Sequence, residues 1–194
     1  MKKLLFTFLF LTLGTAWGGA FEDGLAAAER KDYSTAIKLW RPLAEQGDAA
    51  MQDIMGAMYE EGKGVTQDYK EAVKWWKLAA EQGYASAQTS LGWMYDQGQG
   101  VPQDQKEAVK WFRLAAEQGH ASAQFSLGAM YAKGQGVLQD YTRAHMWYNL
   151  ASAAGGSQFG TKNRDIIAKK MTPQQVEKAQ EMAKACQARN FKGC

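Results

Sequence analysis

The feature that most constrains this chain is a period. The stretch that begins at Ala44 recurs at Ala80 and again at Ala116, a spacing of 36 residues. At that spacing 22 of 36 positions are identical between the first two stretches, and 23 of 36 between the last two. Such a chain stacks supersecondary units, each of which buries its apolar face on its neighbours, so the period decides the architecture before any local reading. It also limits what can be said of function, because the residues that specify an array do not name what the array holds.

Each unit splits into two helical patterns around a glycine-marked turn. In the middle unit Ala87, Leu91, Met94 and Tyr95 recur at helical spacing, and Gly98, Gly100, Val101 and Pro102 stop the helix. Gly98, like Gly62 and Gly134 in the same register, suits the left-handed residue that follows a helix end. Asp104 opens the second helix as its N-cap with Glu107 three residues on, and Asp68 with Glu71 repeats the pair. In the last unit Arg143 replaces the glutamate, so Asp140 caps alone. The second helix is expected to bury Ala108, Trp111, Leu114 and Ala115, with Ala72, Trp75, Leu78, Ala79 and Ala144, Trp147, Leu150, Ala151 as equivalents. Gly56, Gly92 and Gly128 lie inside the first helix of each unit, where glycine costs about 1 kcal/mol relative to alanine. Its presence in three units predicts that another helix backbone packs against that spot. The fold class expected from these patterns is all-α.

The chain opens with Lys2 and Lys3, an apolar run over residues 4–13, and small residues before Phe21. This is the pattern of a secretory signal peptide over residues 1–20, cleaved after Ala20, with residues 14–16 as a second site. The apolar run is about half the roughly 20 residues a spanning helix needs, which argues against a membrane anchor. Without residues 1–20 the chain carries 21 basic and 20 acidic side chains, a balance that does not suggest nucleic acid as a partner. Residues 161–194 hold 8 basic and 3 acidic side chains, and residues 21–160 hold 13 and 17. The two cysteines, Cys186 and Cys194, lie outside every repeat. In an exported chain they suggest one disulfide. On an unbroken helix they would stand about 12 Å apart, so the helix must end between them, with Asn190 and Gly193 as breakers. Before them, Thr172, Pro173 and Gln175 make a helix start. Val176, Ala179, Met182, Ala183 and Cys186 make one apolar stripe, which reads as a helix capping the end of the stack.

The pattern A-x-A-Q-x-x-L-G-x-M-Y-x-x-G-x-G-V-x-Q-D-x-x-x-A-x-x-W-x-x-L-A-A-x-x-G resembles the Sel-one-like (SLR) repeat family, a branch of the tetratricopeptide-type solenoids. It covers residues 44–155 as three repeats. Residues 21–43 lack the glycine-rich turn, yet Asp32, Tyr33, Ala36 and Leu43 read as a degenerate first helix pair, and residues 156–194 read as capping helices. The resemblance implies a right-handed α-solenoid of antiparallel helix pairs whose first helices line a concave face. It also implies an adaptor that holds another protein, in the bacterial envelope or outside the cell. Placing the family's inward-facing positions on this chain gives Asp53, Ala57, Glu60 and Glu61, then Thr89, Trp93, Asp96 and Gln97, then Phe125, Ala129 and Lys133. Trp93 stands out because its sisters are alanines and tryptophan is enriched among residues that dominate interface energy. Phe125 joins it as an apolar spot on an acidic groove.

Catalysis needs convergent acid, base or nucleophile groups, and the sequence offers little of this. His120 replaces Asp48 and Tyr84 at what reads as an exposed variable position, and His145 replaces Val73 and Val109 beside a core tryptophan. There is no His/Cys cluster at metal spacing, no phosphate-binding glycine loop and no G-x-S-x-G. Cysteine-rich members of the resembled family are described as binding penicillin-like compounds, but their repeats each carry a disulfide and these repeats have no cysteine. The expectation is therefore an exported, non-enzymatic protein-binding module, periplasmic or secreted, with no cofactor, no nucleic-acid partner and no stable membrane insertion. Penicillin-type binding or hydrolysis, or a purely structural envelope role, are the alternatives.

Overall fold

A computed structural model describes residues 19–155 and 158–194. Among these residues there are ten helices and no strand. Residues 19–29 form α1, followed by α2 (Tyr33–Glu45), α3 (Ala49–Glu61), α4 (Tyr69–Glu81), α5 (Ala85–Gln97) and α6 (Gln105–Ala116). Then come α7 (Ala121–Lys133), α8 (Tyr141–Gly155), α9 (Gln158–Ala168) and α10 (Pro173–Ala188). The expected leader, residues 1–20, lies outside the described residues apart from 19 and 20, which belong to α1. No helix among the described residues is long and apolar enough to cross a membrane. The fold is all-α, with successive helices packed in pairs at the 36-residue period. Its backbone divides into two compact units, residues up to 79 and residues from 80 onward.

In the first unit the core is made by Ala27, Ala36, Ile37, Trp40 and Ala44 with Met51, Met55 and Met58. Aspartates start the helices: Asp32 accepts from the Thr35 amide (3.1 Å), Asp48 from Met51 (3.0 Å), and Asp68 from Lys70 and Glu71 (2.9 and 3.1 Å). Each satisfies donors that a helix start leaves without partners. Glu71 does not close the reciprocal half of a capping box and turns instead to Lys74. The buried Gln52 amide donates to the Ala44 carbonyl at 3.0 Å, joining the end of α2 to α3.

The second unit repeats this device, with Gln88 donating to Ala80 O (3.1 Å) and Gln124 to Ala116 O (3.2 Å). The glutamine of the A-x-A-Q motif is thus a clasp on a carbonyl at the end of the preceding helix, where the helical ladder supplies no donor. Asp104 caps α6 and Asp140 caps α8. Both α9 and α10 pack on α8. Thr172 starts α10 with a complete capping box to Gln175, and Ala179, Ala183 and Cys186 are its buried residues. Cys186 and Cys194 are bonded, with Cα atoms 5.6 Å apart. The helix ends at Ala188, and Asn190, Phe191 and Gly193 all have positive φ, so Phe191 joins the two breakers expected from the sequence.

The helix-interior glycines face an aromatic side chain from the second helix of their own pair, where the sequence suggested a helix backbone. A Cβ on Gly56 would lie 2.6 Å from the Trp76 ring, on Gly92 2.7 Å from Phe112, and on Gly128 2.9 Å from Tyr148. Gly24 in α1 meets Trp40 in the same way, at 2.3 Å from the indole nitrogen, although the pair lacks the glycine-rich turn. The second helix buries its expected alanines, with Trp111, Trp147 and Leu150, and adds this ring to the buried face. Trp76 and Phe112 are sealed, whereas Leu78 and Leu114, expected inside, are 46% and 41% exposed. One residue is about 100° of helix rotation, so once Trp76 or Phe112 faces inward the paired alanines follow it and the leucine between them turns out.

In two of the G-x-G turns the second glycine has a separate role. Gly64 (φ +74°) and Gly136 (φ +68°) bring their α-carbons against the first turn of the preceding pair's second helix. A Cβ there would lie 2.3 Å from the Tyr33 carbonyl oxygen and 2.2 Å from that of Gln105. Only glycine satisfies both the left-handed conformation and this approach.

Candidate functional site

The expected binding residues fall in both units. In the second, α5 carries Thr89, Trp93, Asp96 and Gln97, and α7 carries Phe125 and Lys133. Trp93 follows Gly92, whose missing side chain lets Phe112 approach, and its indole meets the Phe112 ring edge-on at 5.5 Å and 78°. Phe125 lies one repeat beyond Thr89 and tilts onto Tyr148 at 5.4 Å. Trp93, Phe125, Asp96 and Lys133 line a niche of about 60 Å³, with Phe112 and Ala129 among its other walls. Trp93 is 41% exposed, so about half of a large apolar side chain remains unpacked.

The rim of the niche is charged on both sides. The Asp96 carboxylate accepts from the Gln97 amide at 2.6 Å, and the Asp96 carbonyl accepts from Gln103 at 2.7 Å. Lys133 is exposed at the last turn of α7, where a cation is favoured by the helix dipole. Thr89 is not on this surface. It is buried, donates to the Ala85 carbonyl at 2.8 Å and pairs with His120 Nδ1 at 3.0 Å. His120, which the sequence reads as an exposed variable position, is half-buried at the start of α7 and forms that link. Nothing in the repeat pattern signals this pair, whose members lie 31 residues apart.

In the first unit Asp53, Glu60 and Glu61 lie on α3. Glu61 pairs with Lys63, whose ammonium also sits over the Tyr33 ring. Burial raises the Glu60 carboxyl above the ordinary carboxylate range, and the neighbouring Glu61 adds to the shift.

The described residues hold no group of three or more His, Cys, Asp or Glu able to bind a metal ion. His145 is buried in α8 with no hydrogen-bond partner at Nδ1. Burial, and then the positive charge of Arg164, lower its pKa below the ordinary imidazole value. The arrangement can present an apolar side chain between opposite charges; it does not converge groups on a reacting atom.

The Sel1 repeat family model matches residues 15–48, 49–84, 85–120 and 121–156, most of the chain. Among solved structures the chain is similar to a protective antigen of uropathogenic Escherichia coli strains that displays an SLR fold. Identity is 38% and the TM-score 0.75, over 81% of this chain and 34% of that one. The chain thus spans about a third of the antigen's length. It is also similar to a Sel1 repeat protein from Oxalobacter formigenes, at 29% identity and TM-score 0.68, over 86% of this chain and 75% of that one. No curated protein matches. Four matched repeats, each a helix pair with its glycine-and-ring contact, show that the chain belongs to the Sel1 repeat family.

Proposed function

We propose that this chain is an exported scaffold that binds a partner protein through the inward-facing positions of its first helices, with the Trp93 niche as the principal contact. Sel1 repeat proteins generally mediate protein–protein interactions, and the repeat fold is typically a non-catalytic scaffold. The observation that carries the reading is Trp93, a half-exposed indole where the sister repeats have Ala57 and Ala129. The sister repeats form the same glycine-and-ring contact with alanine at that position, and a large, stiff apolar side chain loses little conformational freedom on binding. Asp96 and Lys133 supply polar anchors around it, as in interfaces with an apolar centre and a polar rim. Export is supported by the leader pattern over residues 1–20 and by the Cys186–Cys194 bond, which suggests an oxidising compartment.

The test is affinity capture from an envelope extract with the parent chain and with Trp93→Ala, both verified as folded by circular dichroism. A protein retained by the parent and lost by the variant supports the reading. Equal capture by both removes the niche as the contact.

A further inference from the structure

The turn that leads into α8, with the first turn of that helix, differs from both sisters at three positions: Thr142 replaces Lys70 and Lys106, and the other two changes line one hollow. Leu138 stands where Thr66 and Pro102 stand, and Arg143 where Glu71 and Glu107 stand. We propose that this turn is a second docking point, for a partner peptide segment that carries a carboxylate beside an apolar side chain.

The residues enclose an open hollow of about 420 Å³, lined by Arg113, Tyr131, Val137, Leu138 and Arg143 among others. Two guanidinium groups share one ring. Arg113 Nη2 donates to the Tyr131 hydroxyl at 2.8 Å, and the Arg143 guanidinium carbon lies 5.5 Å from the Tyr131 ring centroid. The only carboxylate in the lining, Asp140, caps α8 by accepting from the Arg143 amide at 3.0 Å, while Arg143 Nε stands 3.7 Å from its other oxygen. Leu138 is 90% exposed, the most open large apolar side chain among the described residues.

The first unit contains the same tyrosine and first guanidinium without the second. There Arg41 Nη2 donates to the Tyr59 hydroxyl at 2.9 Å, with its guanidinium carbon 5.8 Å from the ring centroid. Thr66 and Glu71 occupy the other two positions, where Asp68 caps the helix and Glu71 pairs with Lys74. The last repeat adds a second guanidinium and an exposed apolar side chain to the retained Arg–Tyr pair, and its lining sets two guanidiniums against one carboxylate, so the complementary ligand is acidic and apolar. Guanidinium groups are weakly hydrated and match a carboxylate in a fork, which makes them suited to this role at a surface. Because these residues are separate from Trp93, the proposal stands or falls independently of the niche.

The probe is the blocked pentapeptide acetyl-Glu-Glu-Leu-Glu-Glu-amide, titrated into the full chain at low salt and followed by amide and arginine side-chain NMR shifts. Saturable shifts confined to residues 137–143 and Arg113 are expected, with none from the lysine counterpart, acetyl-Lys-Lys-Leu-Lys-Lys-amide. The Leu138→Thr, Arg143→Glu variant, built from residues that the first unit carries in the same frame, is expected to bind at least tenfold more weakly. If that variant folds poorly, Arg143→Gln removes the charge alone and is expected to show a smaller loss in the same direction. Unchanged affinity in the variants, shifts centred elsewhere, no saturable shift, equal binding of the lysine peptide, or binding to phosphatidylglycerol vesicles that the glutamate peptide does not compete would each overturn the proposal.

Discussion

The first unit sets tryptophans against its helix-interior glycines, Trp40 on Gly24 and Trp76 on Gly56, whereas the second sets Phe112 on Gly92 and Tyr148 on Gly128. The glycine is constant and the ring is not. Where the ring shrinks from Trp76 to Phe112, the residue after the glycine grows from Ala57 to Trp93, whose indole stands edge-on to Phe112. Aromatic bulk has moved from the second helix of the pair to the first. Trp93 therefore has a packing role on one edge and an open surface on the other, and its exposure is what remains after the space beside Phe112 is filled.

This comparison can be broken at three levels. The largest effect is expected where both units share a contact. Gly64→Ala and Gly136→Ala each drive a carbon into a backbone carbonyl at positive φ, and should each cost roughly 2–4 kcal/mol in urea denaturation. A loss in one unit without the other would show that the frame is not common to both. Next, Phe112→Trp should cost about 1–3 kcal/mol by overpacking, and adding Trp93→Ala should recover most of that. Additive losses in this double-mutant cycle would sink the exchange of bulk.

The smallest effect concerns His145, whose sisters are Val73 in the first unit and Val109. Burial and the nearby Arg164 lower its pKa in the folded chain below the ordinary 6.5. The unfolded chain therefore takes up the proton first as pH falls. The stability tied to His145 is fully present above about pH 6.5 and declines as pH drops toward the folded value. His145→Val should remove that part of the acid sensitivity between pH 7 and pH 5, read as the shift in urea midpoint between the two. An unchanged pH dependence would show that the imidazole does not couple to folding.

The repeat, the turns and the aspartate caps are legible in the sequence because each depends on local chemistry repeated at a fixed interval. Gly98 ends a helix with positive φ, and Asp104 begins one by accepting two amides. The ring that faces the glycine is less legible. Trp75–Trp76, Trp111–Phe112 and Trp147–Tyr148 are adjacent aromatic pairs, and hydrophobic periodicity does not choose between two apolar neighbours 100° apart. The candidate site was readable where it rests on differences between sisters. Trp93, Phe125, Asp96 and Lys133 share one niche. Thr89 was not, because its burial depends on His120, a partner far along the chain. Leu138 and Arg143 also differ from their sisters, but they lie in a turn and at a helix start, outside the inward-facing positions from which the site was drawn.

The glutamine clasp bears on how such a chain changes length. Its donor and acceptor lie eight residues apart, at Gln52 and Ala44, Gln88 and Ala80, Gln124 and Ala116. Duplicating or deleting one block of 36 residues recreates both halves of every clasp, together with each glycine and its ring. Unequal recombination can therefore lengthen or shorten the array without inventing a junction. What it copies or discards along with the block is the local novelty, a Trp93 or an Arg143, so the same event that preserves the architecture rewrites the surface.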